Sequence, residues 1–170
     1  DAFAEHGTWI RLSIDGWDAA SYAKYRSVSE TEFAKVMGNV GAFAKRGSLC
    51  VLGASLIVDQ TNARKVAYLA GVLKDAGVSH VKVSGCVISN DGGENNVYHS
   101  KIADVVRDQI AEARGLENGA FTVVDHYHSL AERFDKSYSS CPFLQFLTVI
   151  GADSTVYTCQ DKAYTKGGAL

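Results

Sequence analysis

The sequence predicts an α/β protein with a parallel sheet and a β-hairpin after it. Three apolar segments, residues 9–16, 49–59 and 80–85, read as strands, and an amphipathic helix follows each. That β-α-β-α-β-α order implies parallel strands joined by crossover helices. Near the end, residues 143–150 and 155–159 flank Gly151-Ala152-Asp153-Ser154 in the manner of a hairpin.

The first strand ends in Leu12-Ser13-Ile14-Asp15-Gly16. Alternation places Ser13 and Asp15 on one face. The first long helix opens on Ser29-Glu30-Thr31-Glu32, whose spacing is that of a capping box. Phe33, Val36, Met37, Val40, Phe43 and Ala44 then form a three-four stripe for the sheet, and Gly47 stands where a helix end favours glycine. In the second strand Val51, Leu52, Leu56, Ile57 and Val58 read as buried on both faces. The second helix is expected over 63–76, with Val66, Leu69, Ala70 and Leu73 inward and Gly77 ending it. Residues 89–96 are rich in Gly and Asn and read as a long loop rather than regular structure. A third helix is expected over 100–114, and a further strand over 120–126.

The 170 residues suffice for one domain, or one domain with an appendage. A hydrophobic fraction of 46% supports a real core. With 21% charged residues, a net charge of −2 and no basic run longer than two, nothing points to nucleic acid. No apolar stretch approaches the roughly 18 residues of a membrane span, and no leader is evident, so a cytoplasmic location is expected. The chain begins with Asp and reads as a piece of something larger. The four cysteines, Cys50, Cys86, Cys141 and Cys159, show no CxxC spacing. That argues against a self-contained zinc site. Dinucleotide, P-loop and nucleophile-elbow motifs are absent from the sequence.

Ligands of such sheets bind outside the carboxyl ends of the strands. Those ends carry Ser13, Asp15, Asp59, Asn62, Ser84 and Cys86. Ser13 and Asp15 suit a ribose or an ammonium, and Arg26 suits a ligand carboxylate; alternatively Asp15 only caps the next helix. Asn62 reads as a ligand contact or as the cap of the second helix. Cys86 is a reactive thiol or a small buried one, and Cys50 reads as core. His126 and His128 would share a strand face and suit a metal or proton transfer, against a plain structural role. Cys141 and Cys159 bracket the hairpin as half of a metal ligand set, or as free thiols.

The pattern resembles the radical S-adenosylmethionine (SAM) enzymes. The likeness lies in Ser13-Ile14-Asp15-Gly16 and Tyr25-Arg26-Ser27-Val28, in Leu56-Ile57-Val58 with Asn62, and in His80-Val81-Lys82-Val83-Ser84. Ser140-Cys141-Pro142 through Asp153-Ser154-Thr155-Val156-Tyr157-Thr158-Cys159 resembles the opening of the SPASM extension, although Ser154 stands where that family usually has Gly. The resemblance implies the C-terminal half of a partial (β/α)6 TIM-like barrel over residues 1–136, and the start of an auxiliary iron–sulfur region over 137–170. It implies SAM and [4Fe–4S] clusters as cofactors. Ser13, Asp15 and Arg26 would contact the methionine or ribose, Ile57 would flank the adenine, and the backbone at Val83 and Ser84 would meet its edge. Cys141 and Cys159 would ligate the auxiliary cluster. No catalytic residue is assigned. The CxxxCxxC motif of the family is absent, so the chain alone is expected to be inactive. In the intact parent an oxidoreductase or maturase acting on a peptide or protein side chain is expected, with a small molecule or carbohydrate as the other substrate class. The exposed edge of a half-barrel invites self-association or pairing with the missing N-terminal half. The contrasting reading is a non-redox α/β module that binds a ligand or a partner.

Overall fold

A computed structural model describes residues 2–89, 91–127, 140–159, 163, 164 and 169. The chain divides into two compact units, Asp1–Asp135 and Lys136–Leu170.

In the first unit a short helix, α1 (Ala2–His6), precedes strand β1 (Trp9–Ser13). Helices α2 (Ala19–Arg26) and α3 (Thr31–Ala44) lead to β2 (Val51–Val58). A 3-10 turn at Ala63–Lys65 runs into α4 (Val66–Asp75), and β3 (His80–Gly85) follows. Then come α5 (Gly92–Ser100), α6 (Ala103–Arg114) and β4 (Thr122–Asp125). The four strands are parallel and lie in sequence order, β1-β2-β3-β4. Among the described residues β1 pairs with β2 alone and is an edge.

Alternation decides what each face carries. Leu52, Ala54, Leu56 and Val58 of β2 and Val81 and Val83 of β3 are buried with Val40 of α3, Leu69 and Leu73 of α4, and Val106 and Ile110 of α6. The expected stripe of α3 packs on this core. Each of these Val, Leu and Ile side chains contributes about 1.5–3 kcal/mol by leaving water. The other face carries Arg11 and Ser13, then Gly53, Ser55 and Ile57, then His80, Lys82 and Ser84. The expectation that β2 is buried on both faces is therefore corrected: Val51 is 44% and Ile57 37% exposed. The second strand is also shorter than expected, with Leu49 outside it and exposed.

Two local readings change. The box at Ser29 does not form; the Ser29 carbonyl accepts from the Glu32 amide at 3.1 Å, and its hydroxyl pairs with that of Thr31. The true capping box is Asp18 with Ser21 at the start of α2. The 89–96 segment is not all loop, because α5 begins at Gly92. The Asp91 carboxylate accepts from the Glu94 amide, and buried Asn95 donates to the carbonyls of Ser89 and Asp91 while accepting from Ile88 N–H. Those bonds offset the poor helix propensity of two glycines. Gly77 does end α4, at φ +93.

The second unit holds a 3-10 turn at Pro142–Gln145 and the antiparallel strands β5 (Val149–Ile150) and β6 (Val156–Tyr157). Pro142 in the first helical positions suits a helical turn rather than the early strand expected there. The hairpin turn closes through Gly151 N–H to Thr155 O and Ser154 N–H to Gly151 O. Ser154 adopts φ 63, in the left-handed region that favours glycine.

Candidate functional site

The carboxyl end of β1 is built around Asp15. The backbone ladder to β2 reaches Ile14 N–H, which donates to Ser55 O at 3.0 Å. The Asp15 side chain then extends the pairing: its Oδ1 accepts from Ile57 N–H at 2.9 Å. Its Oδ2 accepts from Arg26 Nη2 at 2.9 Å, and the same Nη2 donates to the Ser13 carbonyl at 2.7 Å. Arg26 is the last residue of α2. Asp18 fixes the start of that helix, and the Ser21 amide and hydroxyl hold its carboxyl below the ordinary value. Asp15 is thus a strand-end clamp, and Asp18 takes the capping role. The structure brings Ser13, Asp15, Arg26 and Ile57 together.

Arg26 has capacity to spare. A guanidinium carries five N–H donors. Its contacts to Ser13 and Asp15 both leave from Nη2, so Nε and Nη1 remain for a planar anion. Its side chain is 36% exposed.

A second layer locks this end. Asn62 is 5% exposed. It accepts from Asp59 N–H and donates to the carbonyls of Ile57 and Asp15. It staples two strand ends and does not cap the second helix. The Asp59 carboxylate accepts from the amides of Thr61 and Asn62 and from the Tyr25 hydroxyl at 2.8 Å. Burial first, and then the Asp59 carboxylate, push the Tyr25 phenol above its ordinary range.

A third cluster closes the end of β3. His99 of α5 is 2% exposed. Its Nε2 donates to the Cys86 carbonyl at 2.7 Å, so its Nδ1, 3.0 Å from the Tyr127 oxygen, is left to accept from that hydroxyl. The Cys86 sulfur lies 3.9 Å from Nε2. Burial raises the Cys86 thiol above its ordinary value, so the thiol form prevails at neutral pH. Burial also pushes Tyr127 up to about 12. No spacing in the sequence pairs Tyr25 with Asp59, or His99 with Cys86 and Tyr127, because these partners lie 34, 13 and 28 residues apart.

The open sheet face holds a cavity of about 420 Å³, lined by Arg11, Ser55, Ile57, Lys82, Ser84, Cys86 and His126 among others. Ile57 and Ser84 line it. Val83 does not: its side chain is fully buried on the core face, and its carbonyl accepts from His126 N–H. His126 is exposed, just past the end of β4, and His128 lies outside the described residues. Cys50 is buried, as expected.

In the second unit Cys141 and Cys159 are half-buried free thiols. Among the described residues no group of three or more His, Cys, Asp or Glu side chains comes together to hold a metal. No helix among them is long and apolar enough to cross a membrane. No family model and no curated protein matches this chain.

Proposed function

We propose that the first unit is the C-terminal, cofactor-holding half of a radical SAM barrel, cytoplasmic and acting on a peptide or protein side chain, with a small molecule or carbohydrate as the other substrate class. The observation that carries this reading is Arg26, which is tied through one nitrogen to Ser13 and Asp15 while Nε and Nη1 stay available at the carboxyl end of a parallel sheet. The residues fit the cofactor chemically. Arg26 suits its methionine carboxylate, the Ser13 hydroxyl its polar groups, and exposed Ile57 its adenine. Supplied with one electron by a reduced [4Fe–4S] cluster held by residues outside those described, bound SAM would provide hydrogen-abstracting chemistry. The part played by this chain is to bind and orient it. Asp15 positions Arg26, and the Asn62 staple holds Asp15 and Ile57 in register.

The described residues do not complete an iron–sulfur site. This reading assigns Cys141 and Cys159 as two ligands and draws the others, and the CxxxCxxC motif, from outside these residues. The edge of β1 is where the rest of such a barrel, or a second copy, would pair.

Equilibrium binding of SAM to the chain tests the reading. Arg26→Gln is expected to weaken binding at least tenfold, while Lys24→Gln on the same helix changes it less than twofold. An absence of binding, or indifference to Arg26→Gln, rejects the proposal. Anaerobic reconstitution with iron and sulfide tests the thiols separately: iron retained by the wild type is expected to fall in Cys159→Ala.

A further inference from the structure

We propose that the outer edge of β1 is where two copies of this chain join, their β1 strands pairing antiparallel about a two-fold axis with Trp9 of each copy opposite Arg11 of the other. The inference goes beyond the cofactor reading and does not depend on it. Of the occupants named for this edge, it commits to the second copy and assigns the register.

The backbone sets the geometry. Val51 N–H donates to Thr8 O at 3.0 Å, and Ile14 N–H donates to Ser55 O at 3.0 Å. In a parallel ladder alternate residues turn their backbone groups to opposite sides. Thr8, Ile10, Leu12 and Ile14 therefore bond toward β2, and Trp9, Arg11 and Ser13 point their groups outward. The Ser13 carbonyl agrees, since its partner is Arg26 Nη2 and not β2. The N–H and C=O of Trp9 and of Arg11 have no partner among the described residues. Unpaired groups in a row along a strand edge are a template for another strand.

Both ends of the free stretch are already closed. Gly7 N–H donates to Phe3 O at 3.0 Å, and Arg26 holds the Ser13 carbonyl. In an antiparallel pair, opposed residues whose groups face each other exchange both bonds. One two-fold register pairs every free group and asks nothing of the closed ones. It sets Trp9 opposite Arg11, Ile10 opposite Ile10, and Arg11 opposite Trp9. The next pair, Gly7 with Ser13, would call on the Gly7 N–H and the Ser13 carbonyl, which are both taken, so the ladder stops there. Centring on Arg11 instead would oppose the two guanidiniums, and like charges directly opposite are unfavourable. Centring on Trp9 would oppose Arg11 to Gly7, whose N–H is taken.

The side chains suit the same register. The Arg11 guanidinium lies 5.4 Å from the centre of its own Trp9 ring. The pairing sets a second indole directly across from it and leaves the two arginines on the diagonal, about 7–8 Å apart. On the helix side, Ile10, Leu12, Val36 and Phe43 are only half-buried and line a cavity of about 410 Å³. Ile10 of the second copy would stand at the axis on the same side of the joined sheet, and complete the burial of these residues.

Sedimentation equilibrium and amide-resolved hydrogen exchange of the chain, across a concentration series from micromolar to millimolar, test the proposal. A monomer–dimer equilibrium is expected. Exchange at the Trp9 and Arg11 amides should slow as the dimer forms, while the Ile10 and Leu12 amides, bonded to β2, hold steady. Arg11→Pro removes an outward donor, a change that an edge strand tolerates. It should weaken the dimer at least tenfold, and Arg107→Gln on α6 less than twofold. Ile10→Cys keeps the test standing if the proline variant does not fold. Opposed Cα atoms at the axis are about 4.5 Å apart, within disulfide reach, so mild oxidation should yield a cross-linked dimer that the wild type does not form. A chain that stays monomeric, growth past the dimer, or a dimer indifferent to Arg11→Pro and not cross-linked by Ile10→Cys would overturn the proposal. So would protection of Trp9 and Arg11 that is independent of concentration, which would assign the edge to a segment of the same chain. SAM binding measured on the same samples separates the two claims. Dimerisation without SAM binding rejects the cofactor reading and keeps this one; SAM binding by a strict monomer rejects this one alone.

Discussion

The two faces of the sheet come from the same strands and differ in almost everything else. On the covered face Leu56, Val58, Val81 and Val83 are at most 2% exposed against the helices. On the open face Arg11, Ser55, Ile57, Lys82 and Ser84 surround a cavity. The difference teaches that burial against the helices, not strand membership, decides where this fold keeps its stability. Parallel sheets are usually covered on both faces; among the described residues helices cover only the first face of this one. The largest expected effect follows directly. Leu56→Ala should cost about 2–5 kcal/mol, because transfer energy and a cavity add. Its chain neighbour Ser55→Ala should stay within about 0.5 kcal/mol. Urea denaturation measures both, and similar costs for the two would erase the distinction between the faces.

The rim where the faces meet should be intermediate. Asn62→Ala removes the partner of Asp59 N–H and one donor to each of the Ile57 and Asp15 carbonyls. Leaving such groups unpaired costs about 1–3 kcal/mol. The same change should loosen Asp15 and so weaken the SAM binding proposed for this site, because Ile57 and Arg26 are joined through that carboxylate. A variant as stable as the wild type would mean that the staple is decorative.

Local patterns were legible in the sequence, and long-range polar pairing was not. The stripe from Phe33 to Ala44 could be read because helix spacing repeats within a few residues, and it packs on the core as expected. Ser13, Asp15 and Arg26 could be read as neighbours because one strand end and one short helix hold all three, although β1 ends at Ser13 and it is Arg26 that ties Asp15 to the Ser13 carbonyl. Helix α5 could not: Gly92, Gly93, Asn95 and Asn96 look like a loop until Asp91 and buried Asn95 are seen satisfying its first turn. The second face of β2 was misread for a related reason. Val51 and Ile57 have strand propensity whether or not anything covers them. The Cys86, His99 and Tyr127 cluster needs β3, α5 and the end of β4 assembled at once, and no spacing rule announces it.

That cluster supplies the smallest and sharpest test of the covered side. Tyr127 is 2% exposed, and its hydroxyl meets His99 Nδ1. Tyr127→Phe keeps the ring and loses the hydrogen bond, so about 0.5–1.5 kcal/mol should be lost at neutral pH. The pH dependence carries more information. Burial raises the folded phenol from 10.0 to about 12, so the folded state favours the neutral form. The stability this provides is complete below the unfolded value and is lost as pH rises from 10 through about 12, since the unfolded chain ionises first. In Tyr127→Phe that loss is absent. The gap between wild type and variant should therefore narrow steadily above pH 10 and hold constant below it. Denaturation curves for both proteins, run across that window, decide the matter. A gap that stays flat would place the phenol in contact with water, and the helix-covered side of the sheet would then be wetter at its end than its packing implies.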